Sequence, residues 1–164
     1  MEPIKLSQYL ISLTAAVFLC PWASAQMGSP GHGETQAIAL HPTNPKILYA
    51  GAAKGLCKTT KGGLDNWPTY GLDTLSPRSI VVSQSDLELV YAGTYEMGVY
   101  RSDDAALSWI AVNDGITDLR IRTMAIHPRN DKIVYAGTEG TGVFKTMDGG
   151  QSWSKIGDID GGNH

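Results

Sequence analysis

The chain has 164 residues, with 13 Lys and Arg against 16 Asp and Glu, for a formal net charge of −3. That length suits one modest domain, and the lack of a basic excess argues against nucleic acid as a partner. Nineteen glycines and only 18% charged residues favour short strands and tight turns over helices.

Met1 to Ala25 reads as an export leader. A short polar start with Lys5 precedes an apolar run from Tyr9 to Leu19, and Ala23-Ser24-Ala25 supplies the small residues a signal peptidase needs. Cleavage there makes Gln26 the first mature residue and places the protein outside the cytoplasm, secreted or periplasmic. It also leaves no stable membrane span, since the apolar run falls short of the about 20 residues a spanning helix needs. Two alternatives stay open. One is a lipoprotein leader, in which Cys20 follows Val17-Phe18-Leu19, with Leu19 where such leaders want a small residue. The other is a retained anchor. If Cys20 leaves with the leader, Cys57 stands alone, no intrachain disulfide forms, and stability must come from packing. Residues 26–34 are expected to be a flexible segment.

From Thr35 onward the chain repeats itself. Leu40-His41-Pro42-Thr43-Asn44-Pro45-Lys46-Ile47-Leu48-Tyr49-Ala50-Gly51 returns as Ile126 to Gly137, and Val82 to Gly93 is a looser copy. Tyr49, Tyr91 and Tyr135 recur at spacings of 42 and 44 residues, and Trp67, Trp109 and Trp153 keep the same two spacings. Each unit predicts four short strands. The first is apolar (Ala37 to Leu40, Ser79 to Val82, Thr123 to Ile126). The second is the run ending Tyr-Ala-Gly. The third follows a Gly-containing loop, and the fourth opens at the Trp. The fold class is therefore all-β, and four antiparallel strands in about 43 residues is the size of one propeller blade. The units run over about 35–76, 77–120 and 121–157, with 158–164 as a tail or the start of a further blade.

Between its third and fourth strands the last unit carries Thr146-Met147-Asp148-Gly149-Gly150-Gln151-Ser152-Trp153. A carboxylate in a tight hairpin accepts backbone N–H groups across the turn, Gly takes a backbone angle other residues resist, and Trp buries a large surface. The second unit keeps Ser102, Asp104 and Trp109 but has Ala106 where Gly belongs. In the first, Thr59 and Trp67 lie one residue further apart and Lys61 stands near the expected Asp. This pattern resembles the Asp-box, and over Thr35 to Gly157 the chain resembles the Asp-box (BNR) propeller superfamily. In style it is most similar to xyloglucanase-like, sortilin-type and photosystem II assembly-factor-like propellers. The resemblance implies that Thr146, Asp148, Gly150, Trp153, Ser102, Asp104, Trp109 and Trp67 are structural, at outer turns away from the ligand face. It implies a ligand face made by the loops between strands two and three together with the loops between blades.

On that face the candidates are Tyr95, Glu96, Glu139, Asp114, Asp118, Arg78 and Arg122, the two arginines holding equivalent places at the start of strand one. A glycosidase needs two positioned carboxylates about 5–9.5 Å apart, and no spacing singles out two of these acids. They read as ordinary solvated loop acids, and no catalytic residue is assigned. Leu119-Arg120-Ile121-Arg122 lacks the Phe and Pro of the sialidase arginine element. His41 and His127 hold the same place before Pro, so each is expected to shape its own turn. Without Cys/His ligand spacing or a phosphate loop, no metal and no cofactor is expected. Cys57, aligned with Tyr100 and Phe144, reads as a small buried hydrophobe.

Closed propellers have about four to eight blades, and three are visible. The chain is thus read as a fragment, as self-associating to close a ring, or as an open arc held by a partner. The functional expectation is an exported, non-catalytic module that binds a protein partner or carbohydrate as a scaffold. The alternative is a partial or decayed glycoside hydrolase resembling xyloglucanases.

Overall fold

The computed structural model describes residues 34–64 and 67–157. The expected leader, residues 26–33 and the tail 158–164 lie outside the described residues. Eleven strands, and no helix among the described residues, form three antiparallel meanders. The first joins β1 (Thr35–Leu40), β2 (Leu48–Ala52) and β3 (Gly55–Thr59). The second joins β4 (Pro77–Val82), β5 (Val90–Thr94), β6 (Val99–Ser102) and β7 (Ile110–Ala111). The third joins β8 (Ile121–Ile126), β9 (Val134–Thr138), β10 (Val143–Thr146) and β11 (Ser154–Gly157). Register is the same throughout, with Ala39 opposite Tyr49, Val81 opposite Tyr91, and Ala125 opposite Tyr135.

Two features depart from the sequence pattern. The first strand of each sheet begins two residues before its apolar stretch. A register shift between Thr35 and Ala37, Pro77 and Ser79, and Ile121 and Thr123 interrupts the alternation there. The first sheet has three strands instead of four. Its fourth is reduced to a bridge between Cys57 and Thr69, with Lys58 N donating to Pro68 O (3.2 Å) and Tyr70 N to Leu56 O (2.7 Å). Pro68 stands where that strand would start and has no N–H to offer a ladder.

Cys57 is buried, 1% exposed, as its place on β3 predicts. The expectation that it stands alone is corrected: Cys57 is disulfide-bonded, and no cysteine among the described residues is free. That expectation rested on Cys20 leaving with the leader.

The sheets stack face to face, β1 and β2 against β4, then β4 and β5 against β8. The core lies between them. Tyr49 and Leu56 of the first sheet meet Ile80, Val82 and Val90 of the second; Tyr91 and Val99 of the second meet Ile121, Met124 and Phe144 of the third. The stacking accounts for the glycine of Tyr-Ala-Gly. A Cβ on Gly51 would lie 2.3 Å from Pro77 O, and one on Gly93 would lie 2.4 Å from Ile121 Cγ2, so the next sheet's first strand sits directly on the bare backbone.

The turns between first and second strands are built alike from different residues. His41 Nδ1 accepts from Asn44 N (3.2 Å), His127 Nδ1 from Arg129 N (3.2 Å), and in the second sheet Ser83 Oγ takes that place, accepting from Asp86 N (2.9 Å). Asn44, Asp86 and Asn130 then each accept, at 3.1 Å, the N–H two residues on.

Candidate ligand-binding face

The turn after each third strand shows what the repeated hydroxyl and carboxylate do. Thr146 Oγ1 donates to Asp148 Oδ1 (2.7 Å) and accepts from Gly150 N (2.9 Å); Asp148 Oδ1 accepts from Ser152 N (3.0 Å), and Ser152 Oγ donates to its second oxygen. The second sheet reproduces every bond with Ser102, Asp104, Ala106 and Ser108. The Ser108 hydroxyl is the main reason the Asp104 carboxyl is held down to about 2, with the Ser108 N–H and the Ser102 hydroxyl adding to it. Asp148 is held lower still, first by Ser152 and then by Thr146. In the first sheet Thr59 Oγ1 still accepts from Lys61 N and Gly63 N, both at 3.2 Å, without a carboxylate at Lys61.

These turns also bind neighbouring sheets together. Lys58 Nζ donates to Ala105 O (2.7 Å); at the next junction Tyr91 OH (3.0 Å) and Arg101 Nη1 (2.9 Å) both donate to Gly149 O. In return Trp109 Nε1 donates to Tyr70 O (2.9 Å) and Trp153 Nε1 to Val112 O (2.8 Å). Burial pushes the Tyr91 hydroxyl up to about 12 and pushes Lys58 down. Lys58 and Arg101 were not among the residues singled out in the sequence. Their signal was a repeat column, Lys58, Arg101 and Lys145, always cationic and always just before the Ser or Thr of the turn.

At the opposite ends of the strands the inter-sheet loops and the loops between second and third strands meet. Tyr95 N donates to Ser76 O (3.1 Å), Gly98 N to Leu119 O (2.9 Å) and Glu139 N to Arg120 O (2.9 Å). Here Tyr95 lies between two sheets' arginines: the Arg78 guanidinium is 4.0 Å from its ring centroid and that of Arg122 is 5.8 Å away. Arg122 pairs with Glu139, which Arg120 also approaches at 3.8 Å. Arg120 forms a two-point contact with Asp118 (3.0 and 3.1 Å), and the backbone N–H groups of Arg120 (3.1 Å) and Gly140 (2.8 Å) add two more donors to that carboxylate. Asp118 is buried, 8% exposed, and its carboxyl is lowered, chiefly by Arg120. Arg78 makes no ion pair among the described residues, and its Nε is buried without an acceptor.

Of the seven residues expected on this face, Tyr95, Arg78, Arg122, Glu139 and Asp118 come together in one cluster. Glu96 and Asp114 do not join it. Both are exposed, and Asp114 instead offers its backbone carbonyl to Trp153 N (2.8 Å) at the sheet junction. Arg120 is the cluster's fastening residue. The cluster holds three guanidinium groups against two carboxylates, and it suits an anion better than a cation. Asp104, Asp118 and Asp148, the carboxylates whose affinity for protons is clearly altered, all shift downward, away from the raised value a general acid needs. Among the described residues no group of three or more His, Cys, Asp or Glu side chains is placed to hold a metal ion. No helix among them is long and apolar enough to cross a membrane.

No family model matches the chain, and no curated protein matches it. Solved structures do. An ancestral GH74 enzyme superposes with a TM-score of 0.68 at 22% identity over 81% of this chain. The GH74 xyloglucanase from Xanthomonas campestris does so with a TM-score of 0.60 at 17% identity over 80% of it. YCF48 bound to D1 peptide gives 0.58 at 16% identity over 73%. The chain spans only 20% and 24% of the two GH74 chains and 39% of the YCF48 chain. Identities this low carry the fold alone, and the fold is that of consecutive β-propeller blades, three of them among the described residues.

Proposed function

We propose that the chain is a non-catalytic propeller module, exported by its leader, that binds a carboxylate-bearing segment of a protein partner at the Tyr95 cluster and serves as a scaffold. The observation that carries this reading is Arg78. Its guanidinium is stacked on Tyr95, its Nε is buried without an acceptor, and it has no carboxylate of its own. A buried donor left unmatched favours a ligand that supplies the missing acceptor. The likeness to YCF48, seen bound to a peptide, supports a protein partner.

A second reading, a partial or decayed glycoside hydrolase acting on polysaccharide, draws on the GH74 likeness and on Tyr95 as an aromatic platform. Against it, Glu139 and Asp118 are each tied to arginine. The two readings separate by titration with an acidic peptide of repeated Glu and, in parallel, with a xyloglucan oligosaccharide. Peptide binding that weakens with salt and is lost in Arg78→Ala with Arg122→Ala, while circular dichroism is unchanged, supports the scaffold. Oligosaccharide binding that survives those changes and fails in Tyr95→Ala supports the hydrolase-derived reading and sinks the first.

A further inference from the structure

The second and third sheets supply their equivalent arginines with different neighbours. Arg78 and Arg122 follow Pro77 and Ile121, which pair with Thr94 and Thr138. Those threonines precede Tyr95 and Glu139, and each threonine hydroxyl donates to a loop carbonyl in the same place, Gly98 O (2.8 Å) and Gly142 O (2.9 Å). The repeat thus sets Tyr95 beside Arg78 and Glu139 beside Arg122. Arg122 has the Glu139 carboxylate, whereas Arg78 has a ring and no carboxylate among the described residues. Of the two acids in the cluster, Asp118 is fixed: its carboxylate takes four donors and its side chain is 7% exposed. Glu139 is held more loosely. Its side chain is 29% exposed, and its second oxygen lies 3.8 Å from Arg120 Nη1. Its backbone N–H is tied to Arg120 O (2.9 Å), so the carboxylate can leave Arg122 by a turn of the side chain alone.

We propose that Glu139 is an internal competitor on this face: it occupies Arg122 as a ligand carboxylate would occupy Arg78, and so limits how tightly an acidic segment binds. The inference rests on the binding reading above. A segment carrying two carboxylates sets one on Arg78 and the other on Arg122, with Tyr95 between them. At Arg78 it supplies an acceptor that was missing, which is a net gain. At Arg122 it replaces one carboxylate by another, and the displaced Glu139 side chain turns to water. An exposed ion pair contributes little, so this exchange is nearly even. The second carboxylate therefore adds little to affinity while Glu139 is present and adds its full worth once Glu139 is gone. Asp118 plays no such part, because releasing it would strand a buried carboxylate from four donors.

The test is the affinity of the full chain for a peptide of repeated Glu, measured by calorimetry at physiological ionic strength. Glu139→Gln is expected to bind about 2–5-fold tighter, the worth of one exposed ion pair. Glu96→Gln removes an equal charge from the equivalent loop of the second sheet, outside the cluster, and should gain less, since it acts through the screened field alone. In an Arg122→Gln background the extra gain of Glu139→Gln over Glu96→Gln should vanish, because nothing remains to compete for. Equal gains from the two variants, or an extra gain that persists without Arg122, overturn the inference. If Arg122→Gln fails to fold, the Glu139 side-chain carboxyl signal, followed by NMR as the parent is saturated with peptide, carries the test. A shift toward the value of a solvated glutamate supports displacement, and a signal that stays in place overturns it. Peptide binding that is lost in Arg78→Ala but unmoved by Glu139→Gln overturns this inference and leaves the binding reading standing. Failure of both the parent and Glu139→Gln to bind overturns the two together.

Discussion

The turn after β10 and the turn after β3 occupy the same place in their sheets and are held by different means. After β10 a hydroxyl and a carboxylate divide the work: Thr146 Oγ1 accepts the N–H groups of Asp148 and Gly150, and Asp148 ties down Ser152. After β3 the hydroxyl of Thr59 makes its two equivalent bonds, with Lys61 where the carboxylate would be. In all three sheets the residue before the last turn glycine or alanine donates back to the first-to-second-strand turn: Gly62 to Lys46 O, Ala105 to Glu88 O, Gly149 to Lys132 O. The path of the turn thus depends on the hydroxyl and on residues that accept positive φ. The carboxylate is a brace added to a path already set. What it braces is the turn whose carbonyl receives the neighbouring sheet's Tyr and Lys or Arg.

The largest expected effect separates the tryptophans from the rest of their turns. Trp153 is 4% exposed, packs in the junction core and donates to Val112 O. Trp153→Ala is expected to cost about 3–5 kcal/mol in chemical denaturation, as large core truncations do. A variant as stable as the parent would show that the Trp does not anchor the sheet. Next comes the glycine of Tyr-Ala-Gly. Gly93→Ala drives a Cβ into Ile121 Cγ2 and Met124 Sδ of the next sheet and should cost about 1–3 kcal/mol, as overpacking does. Gly137→Ala meets, among the described residues, only the Thr123 methyl and carbonyl of its own sheet and should cost less. Equal losses at both positions would mean that the glycine serves its own strand and has no role in sheet stacking.

The two junctions also differ in one hydroxyl. Tyr91 OH donates to Gly149 O beside Arg101, whereas at the first junction only Lys58 donates to the carbonyl of Ala105, and Tyr49 OH, equally buried, has no partner among the described residues. Tyr91→Phe should therefore lose about 0.5–1.5 kcal/mol, the net worth of one hydrogen bond. Tyr49→Phe should be neutral or stabilising, since it removes a buried donor that nothing satisfies. Thermal melts of the pair check the sign. A loss in Tyr49→Phe as large as in Tyr91→Phe would mean that the first junction has an acceptor for that hydroxyl.

The repeat columns made most of the fold legible. Tyr49, Tyr91 and Tyr135, with the three tryptophans, set the number of units, and the apolar runs set the strands. Contacts between units were not legible, because a repeat aligns residues that occupy the same place in different sheets. The partners Lys58 and Ala105, or Arg78 and Tyr95, occupy different columns and meet only when sheets stack. The bulges at the start of β1, β4 and β8 were missed for a related reason: alternation is the strand signal, and a bulge breaks it. On the ligand face the residue types identified Tyr95, Arg78, Arg122, Glu139 and Asp118. They did not separate these from Glu96 and Asp114, which lie on the same loops but stay exposed outside the cluster. Charge on a loop carries no direction until the strands that aim it are placed.

The smallest effect tests the brace itself. A carboxylate held below its ordinary value takes up a proton less readily in the folded protein than in the unfolded chain. Its contribution is therefore complete above the ordinary value of 3.8 and is lost as pH falls, toward about 2 for Asp104 and lower for Asp148. Both carboxylates lie at the surface, so salt and solvent keep the effect modest. Stability measured between pH 5 and pH 2 should fall less steeply in Asp148→Asn than in the parent, and least in the double variant Asp104→Asn with Asp148→Asn. Lys61 carries no such group, so Lys61→Gln should leave the slope as it is. If the double variant kept the parent's slope, the acid sensitivity would belong to other carboxylates, with Asp118 under Arg120 the first to examine.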